Sequence, residues 1–324
     1  MTSVCALVVT RNRKELLGEC LHALAAQTHP TSGVIVFDNA SSDGTAEWLH
    51  SAGLLPSPGR RLVRSEINTG GAGGYADILA LGRETDAEWL WLMDDDAEPH
   101  PDALARLLAS PVADDDRTVA LCTAVVHRDA SIDPLHRCRL RQFITPLALE
   151  AYVPGTYAQV DCASFVGLLI RTGAARAVGS PRREFFLGYD DAEYSLRLRA
   201  LGDIRLVPES VITHKIVVGG GEATRRSLFW NRLLGAHYTS APWESYWKDL
   251  YRVRNLVALK AQHGGLSDPQ LAVLILGYLV KTLLYDTRPL RRLPWIVRFA
   301  LKGRRGDFRA PLPEQWARYA RSVR

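Results

Sequence analysis

The chain has 324 residues, 47% of them hydrophobic and 23% charged, which excludes a disordered or fibrous protein and fits an ordinary globular enzyme. The net charge is +5, but residues 288–324 carry eleven Lys and Arg against two acids, so the tail is at +9 and the rest at −4. The five cysteines are scattered and no two have metal-ligand spacing, which argues against a zinc site and fits reduced thiols in a cytosolic protein.

The first half of the chain alternates apolar runs with stretches of helical periodicity. The apolar runs predict strands at Val4–Val9, Gly33–Phe37, Arg61–Ser65 and Glu88–Met93. The periodic stretches predict helices at Leu16–Gln27, Thr45–Ala52, Gly74–Thr85 and Pro101–Leu108. Arg11, Arg13 and Lys14 follow the first run so closely that we expect a strand there and no signal peptide. This βαβα order predicts an α/β fold with a parallel, doubly wound sheet.

Polar clusters follow the first two strands, at the sheet edge where open α/β sheets bind ligands. They are Thr10, Arg11, Asn12 and Arg13 after the first strand, and Asp38 and Asn39 after the second. Hydroxyl, carboxylate and amide groups suit a base edge and ribose hydroxyls, and the two arginines suit phosphate. A solvated Arg11 is the alternative for that residue, and Ser41 or Asp43 may serve only to cap a helix.

A glycine-rich segment, Asn68 to Gly74, precedes the third helix and contains four glycines. Glycines let a backbone approach a ligand closely, and the N-terminus of the following helix favours anions. The spacing matches neither a Walker loop nor a dinucleotide fingerprint, so a plain flexible turn is the alternative. Asn68, Gly70 and Gly71 are the residues we expect to meet a nucleotide.

The fourth strand ends in three consecutive carboxylates, Asp94, Asp95 and Asp96. Three adjacent carboxylates repel one another, and hard oxygen ligands suit Mg²⁺ or Mn²⁺, which often hold a substrate's phosphates. The alternative is a solvated acidic turn, which is what we expect at Asp114–Asp116, where no strand precedes the acids.

The second half of the chain is more mixed and ends in helices. Strands are predicted at Val119–Val126, Gln159–Ile170 and Ile204–Val207, a helix at Tyr189–Ala200, and helices beyond Trp243. Leu271–Leu284 is almost entirely apolar, yet Lys281 interrupts it and it is too short to span a bilayer. Trp295–Lys302 is basic and amphipathic, as in segments that lie on membranes. Simple core packing of the first segment is equally open.

Several of these motifs, in this order, resemble the GT-A glycosyltransferases of family 2. They are the strand followed by Thr10-Arg11-Asn12, the segment Asp38 to Thr45, the glycine-rich segment and the strand with three Asp. Downstream, Glu184 to Arg197 is similar to the acidic acceptor motif of that family. Trp247 to Asn255 resembles a signature of bacterial rhamnosyl- and galactofuranosyltransferases, and the glycine-rich segment and Asp190–Tyr194 are most similar to the galactofuranosyltransferases. The resemblance covers about residues 1–260 and implies a GT-A fold with a helical C-terminal extension.

The resemblance also implies roles for individual residues. Asp94 and Asp96 would hold Mn²⁺ or Mg²⁺ with His214 as third ligand, while Asp95 would bind ribose or sugar. Asp191 would be the base that deprotonates the acceptor hydroxyl, with Asp190 and Glu193 orienting acceptor hydroxyls. Arg254 would reach the diphosphate, and the turn at Gly219–Gly221 would be a mobile flap over the donor.

Alternatives remain for several of these roles. His214 may be structural, the acids of 190–193 may only favour a helix start, and Trp247 and Tyr251 may only pack a helix face. One base and no enzyme nucleophile predict inversion at the anomeric carbon.

The sequence thus predicts an inverting, metal-dependent glycosyltransferase with a catalytic domain at residues 1–242 and a basic helical region at 243–324. The expected donor is UDP-galactofuranose, and the expected acceptor a glycolipid or polyprenyl-linked glycan at the cytosolic face of the membrane. The open alternatives are a dTDP-rhamnose-dependent rhamnosyltransferase, a tailoring enzyme of a secondary metabolite, and a catalytically dead protein that binds sugar nucleotide or lipid. No nucleic-acid partner is expected, because the tail offers no recognisable stacking platform.

Overall fold

The computed structural model describes residues 1–55, 59–141, 144–215, 223–235, 238–264, 267–310 and 313–322. The chain forms two compact units: Met1–Phe186 with Asp190–Val217, and Leu187–Tyr189 with Val218–Arg324. The first unit is α/β and the second is helical. The turn expected to act as a flap, Gly219–Gly221, lies outside the described residues.

The first unit alternates strands and helices along most of its length. Its strands are β1 (Val4–Thr10), β2 (Gly33–Asp38), β3 (Arg60–Arg64), β4 (Trp89–Asp94), β5 (Ala97–Pro99), β6 (Thr118–Val126), β7 (Arg137–Leu140), β8 (Ile144–Pro146), β9 (Gln159–Val160), β10 (Cys162–Ala163), β11 (Leu168–Arg171) and β12 (Asp203–His214). Its α-helices are α1 (Lys14–Ala25), α2 (Thr45–Ser51), α3 (Gly70–Gly82), α4 (Ala103–Leu108), α5 (Thr172–Val178) and α6 (Asp190–Arg199).

The main sheet has the strand order β3-β2-β1-β4-β11-β6-β12-β5, with β9 also paired to β12. The first four strands in this order are parallel, which confirms the parallel arrangement predicted for the first half. Strand β11 runs antiparallel to both β4 and β6, so the complete sheet is mixed.

The strand predicted over Gln159–Ile170 was wrong as one element, because the structure breaks it into β9, β10 and β11. Gly167 has a φ of +70° just before β11, and a Cβ there would lie 2.3 Å from the Thr123 hydroxyl oxygen. The segment therefore turns at this glycine, and β11 enters the main sheet while β10 pairs with β7.

The main sheet is buried on both faces, which explains the unbroken apolar runs of its strands. Along β1, Val4, Ala6 and Val8 belong to one hydrophobic core, which includes Trp91. Cys5 and Leu7 belong to a second core, which includes Tyr194. Helices cover both faces, as a doubly wound sheet requires.

A small antiparallel sheet, β10-β7-β8, lies in the same unit and is anchored by a buried arginine. The side chain of Arg137 is fully buried and donates to backbone carbonyls. Nε donates to Thr123 at 2.9 Å and Nη1 to His136 at 2.8 Å, while Nη2 donates to Val166. Because these bonds join β7 to β6 and to the loop before β11, they fix the position of His136.

The second unit contains five α-helices in its described residues: α7 (Arg225–Leu234), α8 (Trp247–His263), α9 (Asp268–Tyr285), α10 (Pro289–Arg304) and α11 (Pro313–Ser322). Helix α10 packs along α8, and α9 contacts both α10 and α7. This confirms the expectation of a helical C-terminal region. Among the helices that the structure describes, none has both the length and the hydropathy that crossing a bilayer requires.

Candidate functional site

Three parallel strands bring the predicted nucleotide residues to one sheet edge. Thr10 ends β1 opposite Asp38 of β2, and Val9 lies opposite Asp94 of β4. The carboxyl ends of these strands therefore meet, as the sequence predicted, and the loops that follow them share one edge.

The three adjacent carboxylates point to different partners. Tyr75 of α3 donates its hydroxyl to Asp94 Oδ1 at 2.5 Å. Asp95 accepts from the Thr10 hydroxyl at 2.8 Å, and Arg13 Nη1 donates to Asp95 at 3.0 Å and to Asp96 at 2.9 Å. This internal network orders the acidic loop, and it shows that Thr10 and Arg13 are in direct contact with the carboxylates.

His214 joins this acidic cluster from the far end of the chain. It is the last residue of β12, whose pairing with β5 places His214 opposite Ala97, directly after the acids. Its Nε2 lies 3.2 Å from Asp96 Oδ1, and that buried oxygen accepts no hydrogen bond of good geometry. One ligand atom each from Asp94, Asp96 and His214 lies within 4.8 Å of the others. Two carboxylates, one of them with a buried oxygen that accepts no hydrogen bond of good geometry from the described residues, and an imidazole fit a divalent cation such as Mn²⁺ or Mg²⁺.

The electrostatics of the cluster reflect its crowding. Burial, together with the neighbouring Asp96 charge, raises the pKa of Asp94 to about 7. Burial opposes the charged imidazole of His214, yet the attraction of Asp96 outweighs it and raises the His214 pKa. The negative charges of Asp94 and Asp96 repel each other, and a bound divalent cation would balance them.

A second group of possible metal ligands shares His214 and was not foreseen from the sequence. Ligand atoms of Asp133, His136 and His214 also lie within 4.8 Å of one another. His136 Nε2 lies 3.3 Å from Asp133 Oδ2, and its ring meets that of His214 edge-on, with centroids 4.9 Å apart. The only sequence signal was the spacing of Asp133 and His136, a pattern too common to stand out.

The residues after β2 form hydrogen bonds at the sheet edge where nucleotide-binding residues were predicted. Asp38 Oδ1 accepts from the Ser41 amide at 2.8 Å, while its buried Oδ2 has no hydrogen-bond partner in the described structure. Asn39 donates to the Gly70 carbonyl at 2.8 Å and accepts from the Thr69 amide at 3.0 Å, so it links β2 to α3. This Asp38 oxygen lies 3.6 Å from Arg64 Nε and is a candidate acceptor for a ligand N–H, and its role stays a prediction.

The loop after β1 is held to the loop after β2. The side chain of Asn12, whose φ is +55°, accepts from the Ser42 amide at 2.7 Å. Arg11 donates its backbone amide to Asp95 at 3.3 Å, and its side chain is exposed. These contacts place both residues at the same sheet edge as Asp95, and their predicted contacts with a donor stay predictions.

The glycine-rich segment is helical, not a loop, because α3 begins at Gly70. Gly70 has a φ of +73°, and a Cβ there would lie 2.1 Å from the Phe186 carbonyl oxygen. A Cβ at Gly74 would lie 2.8 Å from Val9, whereas a Cβ at Gly71 would meet nothing within 4 Å. The Asn68 side chain accepts from the Gly70 amide at 2.9 Å and fixes this start. Gly70 and Gly74 thus allow close packing of the helix against its neighbours, and the predicted contacts of Asn68, Gly70 and Gly71 with a nucleotide stay predictions.

Replacing Gly70 by Ala is expected to destabilise the fold, whereas replacing Gly71 by Ala is not. The methyl group added at position 70 would strain the backbone and clash with the Phe186 carbonyl, which should lower the free energy of unfolding by about 2–4 kcal/mol. Gly71→Ala is the matched control, because it adds the same methyl group to open space in the same turn. Urea denaturation measures both, and equal midpoints for the two variants would contradict the packing argument.

The acceptor motif begins α6 with three acids that differ in their surroundings. Asp190 is buried, and Asp191 is partly buried and accepts from the Ala192 amide at 2.7 Å. Burial raises the pKa of Asp191. Glu193 is buried and bonds Arg197 through both of its oxygens, at 3.0 and 3.1 Å to Nε. The contact with Arg197 gives Glu193 a structural task, and its predicted contact with an acceptor stays a prediction.

Arg254 lies inside the helical unit with its guanidinium fully buried. It donates to the Phe308 carbonyl at 2.8 Å and to Asn255 Oδ1 at 2.9 Å, and it stacks over the Tyr251 ring at 4.3 Å. These contacts account for the helical spacing of Tyr251, Arg254 and Asn255 within the unit. The predicted contact of Arg254 with a diphosphate stays a prediction.

Comparison with known proteins adds a family and a set of relatives. Residues 5–176 match the family model described as glycosyl transferase family 2. The galactofuranosyltransferase GlfT1 of Mycolicibacterium smegmatis is 32% identical over 204 residues, which span 60% of this chain and 65% of that protein. GlfT1 of Mycobacterium tuberculosis is 32% identical over 218 residues, spanning 60% and 64%. The chain thus covers just under two thirds of the length of these curated relatives.

Solved structures share the fold at low sequence identity. GalNAc-T7 with UDP, GalNAc and Mn²⁺ matches with a TM-score of 0.56 at 14% identity, covering 96% of this chain and 59% of that one. Residues 1–349 of TarS from S. aureus in complex with UDP match with a TM-score of 0.53 at 14% identity, covering 100% and 92%. These matches confirm the predicted GT-A-like arrangement of a mostly parallel, mixed sheet flanked by helices.

Proposed function

Because the chain belongs to glycosyl transferase family 2, we propose that it transfers galactofuranose from UDP-galactofuranose to a hydroxyl group of a glycolipid or polyprenyl-linked glycan. The observation that carries this proposal is the cluster of Asp94, Asp96 and His214 at the carboxyl ends of the parallel strands. Such a cluster suits the diphosphate of a sugar nucleotide, because a cation held there balances the charge of the leaving group.

The donor half of the proposed site is built from the strand ends. Asp94, Asp96 and His214 would hold the divalent cation, which supplies electrostatic stabilisation of the departing diphosphate. Asp38 Oδ2 is buried, makes no hydrogen bond within the described part of the chain and lies 3.6 Å from Arg64 Nε, and it would accept an N–H of the uracil base. Arg13 already contacts Asp95 and Asp96, so its guanidinium lies where it can turn to a phosphate oxygen.

The acceptor half of the proposed site is the start of α6. The acceptor oxygen forms a bond to the anomeric carbon while the bond from that carbon to the UDP oxygen breaks. Asp191 takes the hydroxyl proton, and its pKa, raised by burial, makes it a stronger base than an ordinary aspartate. With one displacement and no enzyme nucleophile, the product has inverted configuration.

The choice of donor sugar is supported by the relatives, which are galactofuranosyltransferases at 32% identity. A rhamnosyltransferase that uses dTDP-rhamnose is the second candidate, favoured by the resemblance of the Trp247–Asn255 segment to that subgroup. A secondary-metabolite acceptor and a catalytically inactive sugar-nucleotide-binding protein are the remaining alternatives, which turnover assays distinguish.

The first test is a thermal-melting screen of the full chain against UDP, dTDP, GDP and ADP, each with and without Mn²⁺. A rise in melting temperature is expected for UDP, and only with Mn²⁺ present, because a ligand that binds the native state stabilises it. A larger rise with dTDP than with UDP would replace the proposed donor by the rhamnose donor. No rise with any nucleotide, under conditions where labelled UDP-sugar is also not turned over, would overturn the proposed function.

A further inference from the structure

Helix α9 presents an unbroken apolar stripe on its exposed side. The stripe consists of Val273, Leu276, Val280 and Leu283, which are 60%, 58%, 43% and 37% exposed. Their spacing of three, four and three residues places them on one face of the helix. An apolar stripe this long is unusual on a protein surface that is exposed only to solvent, and it indicates a contact surface.

Helix α7, which packs against α9, carries further exposed apolar side chains. Leu228, Phe229, Leu233 and Leu234 of α7 are 54–62% exposed. Arg226 of α7 holds the two helices together by donating Nε to the Leu284 carbonyl at 3.2 Å and Nη2 to that of Leu283. We name these eight apolar residues, four from each helix, the α7–α9 face.

The helices that form and adjoin the α7–α9 face carry a large excess of positive charge. Helices α7, α9 and α10 together contain nine Lys and Arg and a single acid, Asp268, which pairs with Arg304. Arg225, Arg232 and Arg298 are exposed. Helices that combine exposed apolar side chains with an excess of cations complement an anionic lipid headgroup layer with acyl chains beneath.

A second copy of the chain is a poorer occupant of the same face. A symmetric dimer places each surface against itself, so the cations of one copy would meet those of the other. The three helices offer no acid beyond Asp268 to balance them. Each like-charge contact in such a dimer would destabilise it, whereas contacts between these cations and anionic headgroups would stabilise membrane binding.

We propose that the α7–α9 face docks the protein on an anionic membrane surface, with α7 and α9 lying in the plane of the headgroups. The sequence also indicated the basic amphipathic segment of α10 as a membrane contact, but much of the apolar side of this segment is buried within the protein. Ile296, Phe299 and Ala300 are buried, and α10 packs along α8. The proposed lipid contact therefore lies on α9, whose apolar Leu271–Leu284 segment the sequence already indicated, and on α7, which the sequence did not indicate.

Co-sedimentation with vesicles of phosphatidylcholine alone and with 30% phosphatidylglycerol tests this proposal. The full chain is expected to pellet with the anionic vesicles and to remain largely in the supernatant with the neutral ones. Phe229→Gln combined with Leu276→Gln should reduce the bound fraction at least fivefold. The matched control is Leu149→Gln with Leu201→Gln, which removes two leucines that are 64% and 50% exposed on the α/β unit, and it should pellet like the native chain.

Three outcomes would overturn the proposal. The first is equal pelleting of the Phe229/Leu276 variant and the native chain. The second is no pelleting of the native chain with either vesicle. The third is a dimer of the native chain in analytical ultracentrifugation that dissociates to monomers in the same variant. Mn²⁺-dependent stabilisation by UDP, measured on each variant, shows that the protein is folded. It also separates failure of the membrane face from failure of the proposed transferase function, which does not depend on this surface.

Discussion

Replacing Asp191 by Asn is expected to reduce turnover by roughly 10²–10⁴-fold while UDP still stabilises the protein in the presence of Mn²⁺. The amide of Asn cannot take the proton of the acceptor hydroxyl, and its size leaves the hydrogen bond to the Ala192 amide in place. Turnover of labelled UDP-sugar and the thermal shift with UDP measure the two properties separately.

The pH dependence of kcat/KM is the independent check on Asp191. Burial raises the pKa of Asp191, so the active, deprotonated form is lost at a higher pH than for an ordinary aspartate, whose pKa is about 3.9. As the pH is lowered, kcat/KM should therefore begin to fall at a pH above about 3.9. This acidic decrease should be absent from the residual activity of Asp191→Asn. Asp116→Asn, in an exposed acidic turn, is the matched control and should behave like the native chain. Full turnover in Asp191→Asn would exclude this residue as the base.

Replacing Asp96 by Asn is expected to abolish the Mn²⁺-dependent part of UDP binding and to lower turnover by about 10²–10³-fold or more, equivalent to several kcal/mol. Asp96 is the carboxylate that approaches both His214 and Arg13, at 3.2 and 2.9 Å. The substitution removes the negative charge of one of the two carboxylate ligands and leaves Asp95 as the charged partner of Arg13. Titration calorimetry of UDP with and without Mn²⁺ measures the effect.

His136→Ala separates the two groups of possible metal ligands. If the cation is held by Asp94, Asp96 and His214, this variant retains Mn²⁺-dependent UDP binding, whereas Asp94→Asn loses it. The reverse pattern, binding lost in His136→Ala and kept in Asp94→Asn, would assign the cation to Asp133, His136 and His214. The protein stability of both variants is compared by thermal melting without ligand.

The sequence predicted the first half of the fold well because β1, β2 and β4 are nearly continuous apolar runs between clear helix signals. It also predicted that Thr10, Asp38 and Asp94 would meet, since parallel strands share their carboxyl ends. Strand β12 was underestimated, with Ile204–Val207 expected and Asp203–His214 observed. The extension matters, because it is the pairing of β12 with β5 that brings His214 to the acids.

Other parts of the candidate site could not be read from the sequence. Tyr75 reaches Asp94 only because α3 starts at Gly70, and glycine's poor helix propensity had favoured a loop there. Asp133 and His136 approach His214 through a small sheet that depends on a buried arginine, and long-range contacts of this kind leave no local pattern. Tertiary packing outweighed local propensity at both places.

The antiparallel strand β11 has a consequence for synthesis of the chain. Strands β1 to β4 lie within residues 4–94 and can pair as soon as they leave the ribosome, but β11 begins only at Leu168. Until then, the apolar strand Trp89–Asp94 forms an open sheet edge whose backbone groups can pair with other chains. Nascent chains that pause between these points are therefore the species most exposed to aggregation, and pairing of β11 with β4 is the step that covers this edge.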